Sequence, residues 1–217
     1  MVTISLPAPV EQALARLTAA GFEACVVGGA VRDALRGAEA KDWDVATSAL
    51  PRQVEQVFSG ERLVETGLRH GTVTVVLAGL PLEITTYRVD GAYTDHRRPD
   101  GVHFTCSLTE DLRRRDFTVN AMAYAPGRGL ADPFGGQADL AAGVLRCVGE
   151  PDRRFQEDAL RILRGLRFSA QLGMRLEPDT ADALRRNREL LADIAPERVQ
   201  SELTGLLCGA HAGAVLT

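Results

Sequence analysis

Apolar and polar positions alternate along this chain in two different rhythms. Over residues 8–20 apolar side chains recur every three or four positions, the period of a helix packed on one face, and Gly21 ends it. Residues 23–27 form a short apolar run that reads as a buried strand. Gly28-Gly29 then makes a turn, and residues 30–37 read as a helix closed by Gly37. A second strand is predicted over 42–47, and Pro51 opens a further helix. Two β-branched runs, 71–79 and 81–89, joined by Gly79-Leu80-Pro81, predict an antiparallel hairpin. Residues 88–103 are polar, contain glycine and have no period, which predicts a long mobile loop, of a kind that is either functional or disordered. From Ser107 the pattern turns helical, with a capping box at Ser107 and Glu110. Asp132–Gly136 is a break, 144–149 a short strand, and everything from Asp152 onward reads as helix. The fold class is therefore α+β: a mixed α/β part over 1–148, then an all-helical part over 149–217.

Composition narrows this picture. A chain of 217 residues that is 45% hydrophobic can bury one or two real cores. No apolar run approaches the ~20 residues of a membrane span, and the first residues lack a secretory pattern. Cys25, Cys106, Cys147 and Cys208 are too widely spaced for a zinc knuckle and read as reduced core thiols of a cytoplasmic protein. The net charge of −4 excludes a generally basic nucleic-acid coat. Among the cations only Lys41 is a lysine, and the arginines cluster between Arg113 and Arg188. Arginine's planar fork of donors suits phosphates and base edges, although a GC-rich genome also favours arginine codons.

Candidate chemistry begins with "KDWDVATSALP" at 41–51. In a strand, Asp42 and Asp44 point to one face while Trp43 and Val45 point into the core. Two carboxylates so placed repel each other unless a cation lies between them. Mg²⁺ is suited, because it takes oxygen ligands and often uses one or two carboxylates plus substrate phosphates; the plainer reading is a solvated edge strand. Upstream, Gly28 and Gly29 let backbone approach a bulky anion, and Arg32 adds a charged donor. Glu83, between Leu82 and Ile84, gives a third acid on a sheet face. In "EDALRILRGLRF" (157–168) and the residues just after it, Ala159, Ile162, Leu163, Leu166 and Ala170 form one apolar face. Asp158, Arg161, Arg164 and Arg167 step around the other at i+3 spacing, with Asp158 and Arg161 able to hold each other. Three arginines in register with few acids to balance them predict a binding face.

Taken in order, "VVGGAVRDALRG…KDWDVATSALP", "RRDFTVNAMAY", "DPFGG", "EDALRILRGLRF" and "ERVQSE" resemble the five motifs of the bacterial-type (class II) tRNA nucleotidyltransferase and poly(A) polymerase family, over Glu23 to Glu202. The resemblance implies a DNA polymerase β-like nucleotidyltransferase head followed by a helical neck. It implies Mg²⁺ on Asp42 and Asp44, with Glu83 as third catalytic acid, and a triphosphate site at Gly28, Gly29 and Arg32. It also implies that Arg115 and Asp116 hold the incoming nucleotide with support from Asn120. Asp158 and Arg161 would read the base edge of CTP or ATP, oriented by Glu157, with Arg164 and Arg167 completing the pocket. Glu197, Arg198 and Glu202 match a motif that braces the neck. The implied reaction is untemplated addition of C, C and A to the tRNA 3′ end. Rival readings are poly(A) synthesis, CC-only or A-only addition, and a nucleotide-binding remnant. Family members usually continue into body and tail domains that grip tRNA. This chain stops soon after the neck, so weak, salt-sensitive RNA affinity is expected.

Overall fold

The computed structural model describes residues 2–40, 42–65, 67–91 and 101–216, apart from the side chain of Arg69. Contacts divide the chain into two compact units. Met1–Asp90, Val102–Arg115 and Asn120–Phe134 fall in the first; Asp116–Val119 and Gly135–Thr217 fall in the second. The backbone thus passes from one to the other between Arg115 and Asp116, and returns between Val119 and Asn120.

In the first unit α1 (Ala8–Ala19) is followed by β1 (Ala24–Val27), α2 (Gly29–Leu35), β2 (Asp44–Thr47) and α3 (Pro51–Val57). Then come β3 (Arg62–Val64), β4 (Thr72–Leu77), β5 (Leu80–Thr86), β6 (Arg88–Asp90) and β7 (Val102–Phe104). The helix α4 (Leu108–Arg113) and strands β8 (Ala123–Ala125) and β9 (Gly129–Ala131) complete it. Seven strands form one mixed sheet in the order β3-β4-β5-β2-β1-β8-β9. Every neighbouring pair is antiparallel except β2 and β5, which run parallel.

Alternation sets the faces of this sheet. Val73, Val75 and Leu77 of β4 are buried, as are Leu82 and Ile84 of β5, while the residues between them are not. Each such fully buried aliphatic side chain is worth about 1.5–3 kcal/mol relative to exposure, so a one-residue slip in register is strongly disfavoured. Val10, Ala13, Leu14 and Leu17 give α1 a buried stripe at helical spacing. The β4–β5 turn lies at Ala78-Gly79, one step earlier than the glycine-leucine-proline run suggests. Both residues have positive φ (49° and 83°), the pattern of a two-residue hairpin turn. Pro81 is thereby inside β5, ahead of the first residue that pairs with β2, so its missing N–H removes no bond from that ladder.

In the second unit α5 (Gly136–Ala142), β10 (Val144–Leu145), α6 (Pro151–Glu157) and α7 (Leu160–Leu172) precede β11 (Arg175–Leu176). Helices α8 (Pro178–Arg186), α9 (Pro196–Leu207) and α10 (Ala212–Leu216) finish the chain. Its core gathers Phe117, Val119, Leu145, Phe155, Ile162 and Phe168 among others, with the Phe117 and Phe168 rings edge to face at 5.9 Å.

Several expectations need correction. The strand that should carry both aspartates begins only at Asp44, so Asp42 precedes it. Trp43 is half-buried and not in the core. The polar stretch 88–103 opens and closes as strands, because β6 and β7 pair antiparallel; its residues 92–100, like Lys41, lie outside the described residues. The helix from Ser107 stops at Arg113 and gives way to β8 and β9. The strand expected at 144–149 shortens to β10 and pairs with β11, a strand inside the stretch read as helix. The helical run from Glu157 is also interrupted, since Asp158 is extended at φ −141° and separates α6 from α7. Cys25 and Cys147 are core thiols, pushed up to about 11 and about 12 by burial, whereas Cys106 and Cys208 are exposed.

Candidate active site

Sheet register assembles the acids of the first unit. Asp44 opens β2, and its direct partner in the parallel neighbour β5 is Glu83. Parallel partners project to the same face, about 4.8 Å apart across the strands. Both side chains are exposed, while Val45 and Ile84 beside them are fully buried. Asp42 is also exposed, two residues upstream. Burial among neighbouring atoms raises the pKa of Asp44, and the like charges of Glu83 and Asp42 raise it further; the Arg115 guanidinium opposes them. Asp44 still has an exposed rim, so the desolvation is partial. These four groups therefore share one electrostatic neighbourhood.

Register also ties the glycine turn to the acids. Val27, the last residue of β1, is the partner of Asp44, so the chain leaves the sheet into Gly28 beside that carboxylate. Gly28 has φ 76° and ψ −135°, a conformation essentially closed to side-chain-bearing residues, and its N–H donates to the Met122 carbonyl at 3.2 Å. A Cβ on Gly28 would lie 2.9 Å from Arg115 Nη1. Close approach of that guanidinium is thus a second reason for glycine. Arg32 is buried at 7% exposure, donating from Nη1 to Asn120 Oδ1 at 2.6 Å and from Nε and Nη2 to the two oxygens of Asp33 at 2.9 and 3.0 Å. The structure therefore brings together Gly28, Gly29, Arg32, Asp44, Glu83, Arg115 and Asn120, with Asp42 adjoining them.

The second unit organises its candidates differently from the helical wheel. Arg161 is buried and pairs with Glu157, Nη1 to Oε2 at 2.9 Å, as well as with the Arg154 carbonyl at 3.1 Å. The expected Asp158–Arg161 pair is replaced by this one because Asp158 has left the helix. Its Oδ1 accepts the N–H of Leu160, the first residue of α7, at 3.2 Å, and its Oδ2 lies 3.5 Å from Arg198 Nη2. Desolvation raises the pKa of Asp158, against the pull of Arg198 and then Arg161. Arg164 donates from Nε and Nη2 to Asp116 Oδ2 at 2.8 and 2.6 Å, and this carboxylate raises the pKa of Arg164. Arg167 donates to Glu202 at 2.5 Å and lies over the Phe168 ring at 4.2 Å. Each arginine of the row thus has an acid of its own, drawn from a different part of the chain. The expectation of an under-neutralised face is overturned.

Residues missed from sequence are the carboxylates and cations that hold these groups: Asp33 on Arg32, Arg154 on Glu157 and Asp111 beneath Arg114 and Arg115. Asp111 carried a signal, since an acid three and four residues ahead of two arginines on a helix meets both.

Comparison with known proteins decides the relationship. Residues 24–146 match the family described as "Poly A polymerase head domain", and residues 173–217 match "Probable RNA and SrmB- binding site of polymerase A". The CCA-adding enzyme of Lactiplantibacillus plantarum is 47% identical over 220 residues, spanning all of this chain and 54% of that protein. The chain belongs to the CCA-adding enzyme and poly A polymerase family. Another family member, the CCA-adding enzyme of Geobacillus thermodenitrificans, is 49% identical over 96% of this chain and 52% of its own length. The Bacillus stearothermophilus CCA-adding enzyme in complex with CTP superposes with a TM-score of 0.88 at 42% identity, covering 97% of this chain and 51% of that one. The Thermotoga maritima CCA-adding enzyme complexed with tRNA superposes at 0.80, with 27% identity, covering 95% of this chain and 48% of that one. The mixed sheet with flanking helices is thus the head fold of the family. The chain spans about half the length of the CCA-adding enzymes it matches. All the first-unit candidates lie inside the head-domain match, whereas Glu157 to Arg167 lie between the two matched stretches.

Proposed function

We propose that this chain is the catalytic and nucleotide-reading part of a tRNA nucleotidyltransferase that adds C, C and A to the tRNA 3′ end from CTP and ATP, releasing pyrophosphate. The observation that carries this reading is the register that sets Asp44 beside Glu83 and opens the Gly28 turn next to Asp44, with Arg115 against that turn. The two relatives compared above, which span all and 96% of this chain, are CCA-adding enzymes, and one structurally similar relative is a complex with CTP.

The acids fit a divalent ion of the Mg²⁺ kind. The donors are carboxylate oxygens only, and burial, with a smaller push from the like charges of Glu83 and Asp42, already raises the pKa of Asp44. Among the described residues no group of three His, Cys, Asp or Glu side chains is arranged to hold a metal alone. Two carboxylates plus phosphate oxygens and water is the pattern Mg²⁺ accepts. We assign Asp42 and Asp44 as its ligands and Glu83 as the acid beside them. Bound there, the ion supplies charge neutralisation and lowers the pKa of the attacking 3′-hydroxyl.

The protein's own groups do the rest. Gly28 and Gly29 admit the triphosphate to the backbone. Arg32, fixed by Asp33 and Asn120, and Arg115 offset charge that develops on the leaving pyrophosphate. In this reading Glu83 accepts the hydroxyl proton. In the second unit Asp158 accepts from the amino group of cytosine or adenine, and Arg161, oriented by Glu157, donates to the neighbouring ring nitrogen. Uracil and guanine present a carbonyl where the amino group is required and leave buried polar groups unpaired. Asp116 and Arg164 act as one unit in this reading, and Arg167 buttresses Phe168. We place the protein in the cytoplasm, in keeping with its four free cysteines.

The test is to incubate the chain with tRNAs ending before the first C, after one C and after two, with Mg²⁺ and each nucleoside triphosphate separately. Addition of two C and one A supports the reading. Long A tails would reassign it as a poly(A) polymerase, arrest after two C or addition of A alone would narrow it, and CTP binding without extension would make it a nucleotide-binding remnant.

A further inference from the structure

We propose that Asp111 is a positioning residue: from the interior of the first unit it sets Arg115 against the Gly28 turn, so that the guanidinium meets the β- and γ-phosphates of the nucleotide. This rests on the assignment of Arg115 to the triphosphate made above.

Asp111 is 1% exposed. A carboxylate buried to that degree requires cationic or hydrogen-bonding partners. Its Oδ1 receives Arg114 Nε and Nη2 at 3.0 and 2.9 Å, and the backbone N–H of Arg88 in β6 at 3.3 Å. Its Oδ2 has no hydrogen-bond partner among the described residues and faces Arg115 Nη2 at 3.5 Å. On Arg115 the buried Nε is likewise without a hydrogen-bond partner among them. Arg114 saturates one oxygen, and the other is left to Arg115. The contact to Arg115 is therefore Coulombic rather than a closed hydrogen-bonded fork. It orients the guanidinium while leaving N–H donors available. On the side away from Asp111, Nη1 occupies the space that a Gly28 side chain would need. Arg115 is thus held between a fixed charge and a turn that only glycine can make. The end of α4 makes the arrangement possible, because Arg114 caps the helix and Arg115 follows it with its N–H on the Leu112 carbonyl, three and four residues after Asp111.

The experiment measures equilibrium binding of CTP and of CMP to the 217-residue chain. Asp111→Asn keeps the shape and an acceptor for the Arg88 N–H but removes the charge. CTP should bind about tenfold more weakly, the scale of one charge-assisted contact, with CMP unchanged because it lacks the outer phosphates. Arg115→Ala should behave alike, and the double variant should bind CTP no more weakly than Arg115→Ala, since both act on one contact. Additive losses, or equal weakening of CTP and CMP, would overturn the proposal in favour of a purely structural anchor. If Asp111→Asn does not fold, Asp111→Glu retains the charge but displaces it by one methylene and should give the same CTP-selective loss. Wild-type affinity for CTP in Arg115→Ala would instead sink the triphosphate assignment itself.

Discussion

Replacing Gly28 by alanine tests the turn and the arginine together. At φ 76° and ψ −135° an alanine is strained by about 1–3 kcal/mol, and each kcal/mol lowers the melting temperature of a chain this size by about 2–4 °C. The new methyl would also lie 2.9 Å from Arg115 Nη1. That atom ends a flexible side chain, so Arg115 yields and the backbone does not. Gly28→Ala should therefore both melt earlier and bind CTP more weakly. Two other glycines separate these effects. Gly37 has φ 70° and nothing within 4 Å of the point where a methyl would stand, so Gly37→Ala should lose comparable stability and keep CTP affinity. Gly29 has an unstrained φ, and a Cβ there would lie 3.5 Å from Arg32 Nη2, an ordinary contact. Gly29→Ala should be neutral or gain about 0.4–1 kcal/mol; any loss of CTP affinity there would report direct approach of the phosphates. Melting by circular dichroism and CTP titration read both quantities. A Gly28→Ala protein with wild-type CTP affinity would refute the placement of the triphosphate at this turn, and one with wild-type melting would refute the strain argument.

The Asp44 carboxyl has a raised pKa, so its charged form is disfavoured in the fold. Its contribution to stability should fall as pH rises from the unfolded value of 3.8 through the higher folded one. Asp44→Asn should therefore melt above wild type at neutral pH, converge with it below pH 3.8 and lose nucleotide addition; a melting difference independent of pH would contradict the electrostatic reading. Arg164→Ala removes both guanidinium donors from Oδ2 of Asp116, which is 7% exposed, and leaves the Phe117 N–H on Oδ1. It should cost about 2 kcal/mol by denaturant titration, below the roughly 3–5 kcal/mol of a fully buried pair because Arg164 is partly exposed. Exchanging Asp158 and Arg161 for groups of reversed donor pattern should shift selection toward UTP or GTP, and unchanged competition between triphosphates would remove both from base reading.

Sequence periodicity exposed what depends on neighbours along the chain. The β4–β5 hairpin was legible because β-branched residues alternate through it, and Glu83 was placed on the polar face by the same rule. The strands β8 and β9 were not, since "AYA" and "GLA" carry few strand-forming side chains and gain their conformation from pairing with β1 and with each other. Asp44 and Glu83 were both suspected, but their parallel pairing is a long-range event that no local pattern reports. The acid partners of Arg164 and Arg167 were hidden for the same reason, lying 48 and 35 residues away. Periodicity puts Asp158 on a helix face, whereas its extended backbone between α6 and α7 breaks the very period used to find it.

The pairing of β1 with β8 has a consequence for how this protein is made. A nascent chain released only as far as Arg115 holds both acids of the β2–β5 pair, yet Val26 and Val27 still await Tyr124 and Ala123. Until the ribosome delivers those residues, β1 offers an open apolar border to any other extended peptide nearby. Shortened genes that end before residue 123 should therefore yield insoluble product, even though they encode the whole β2–β5 acid pair.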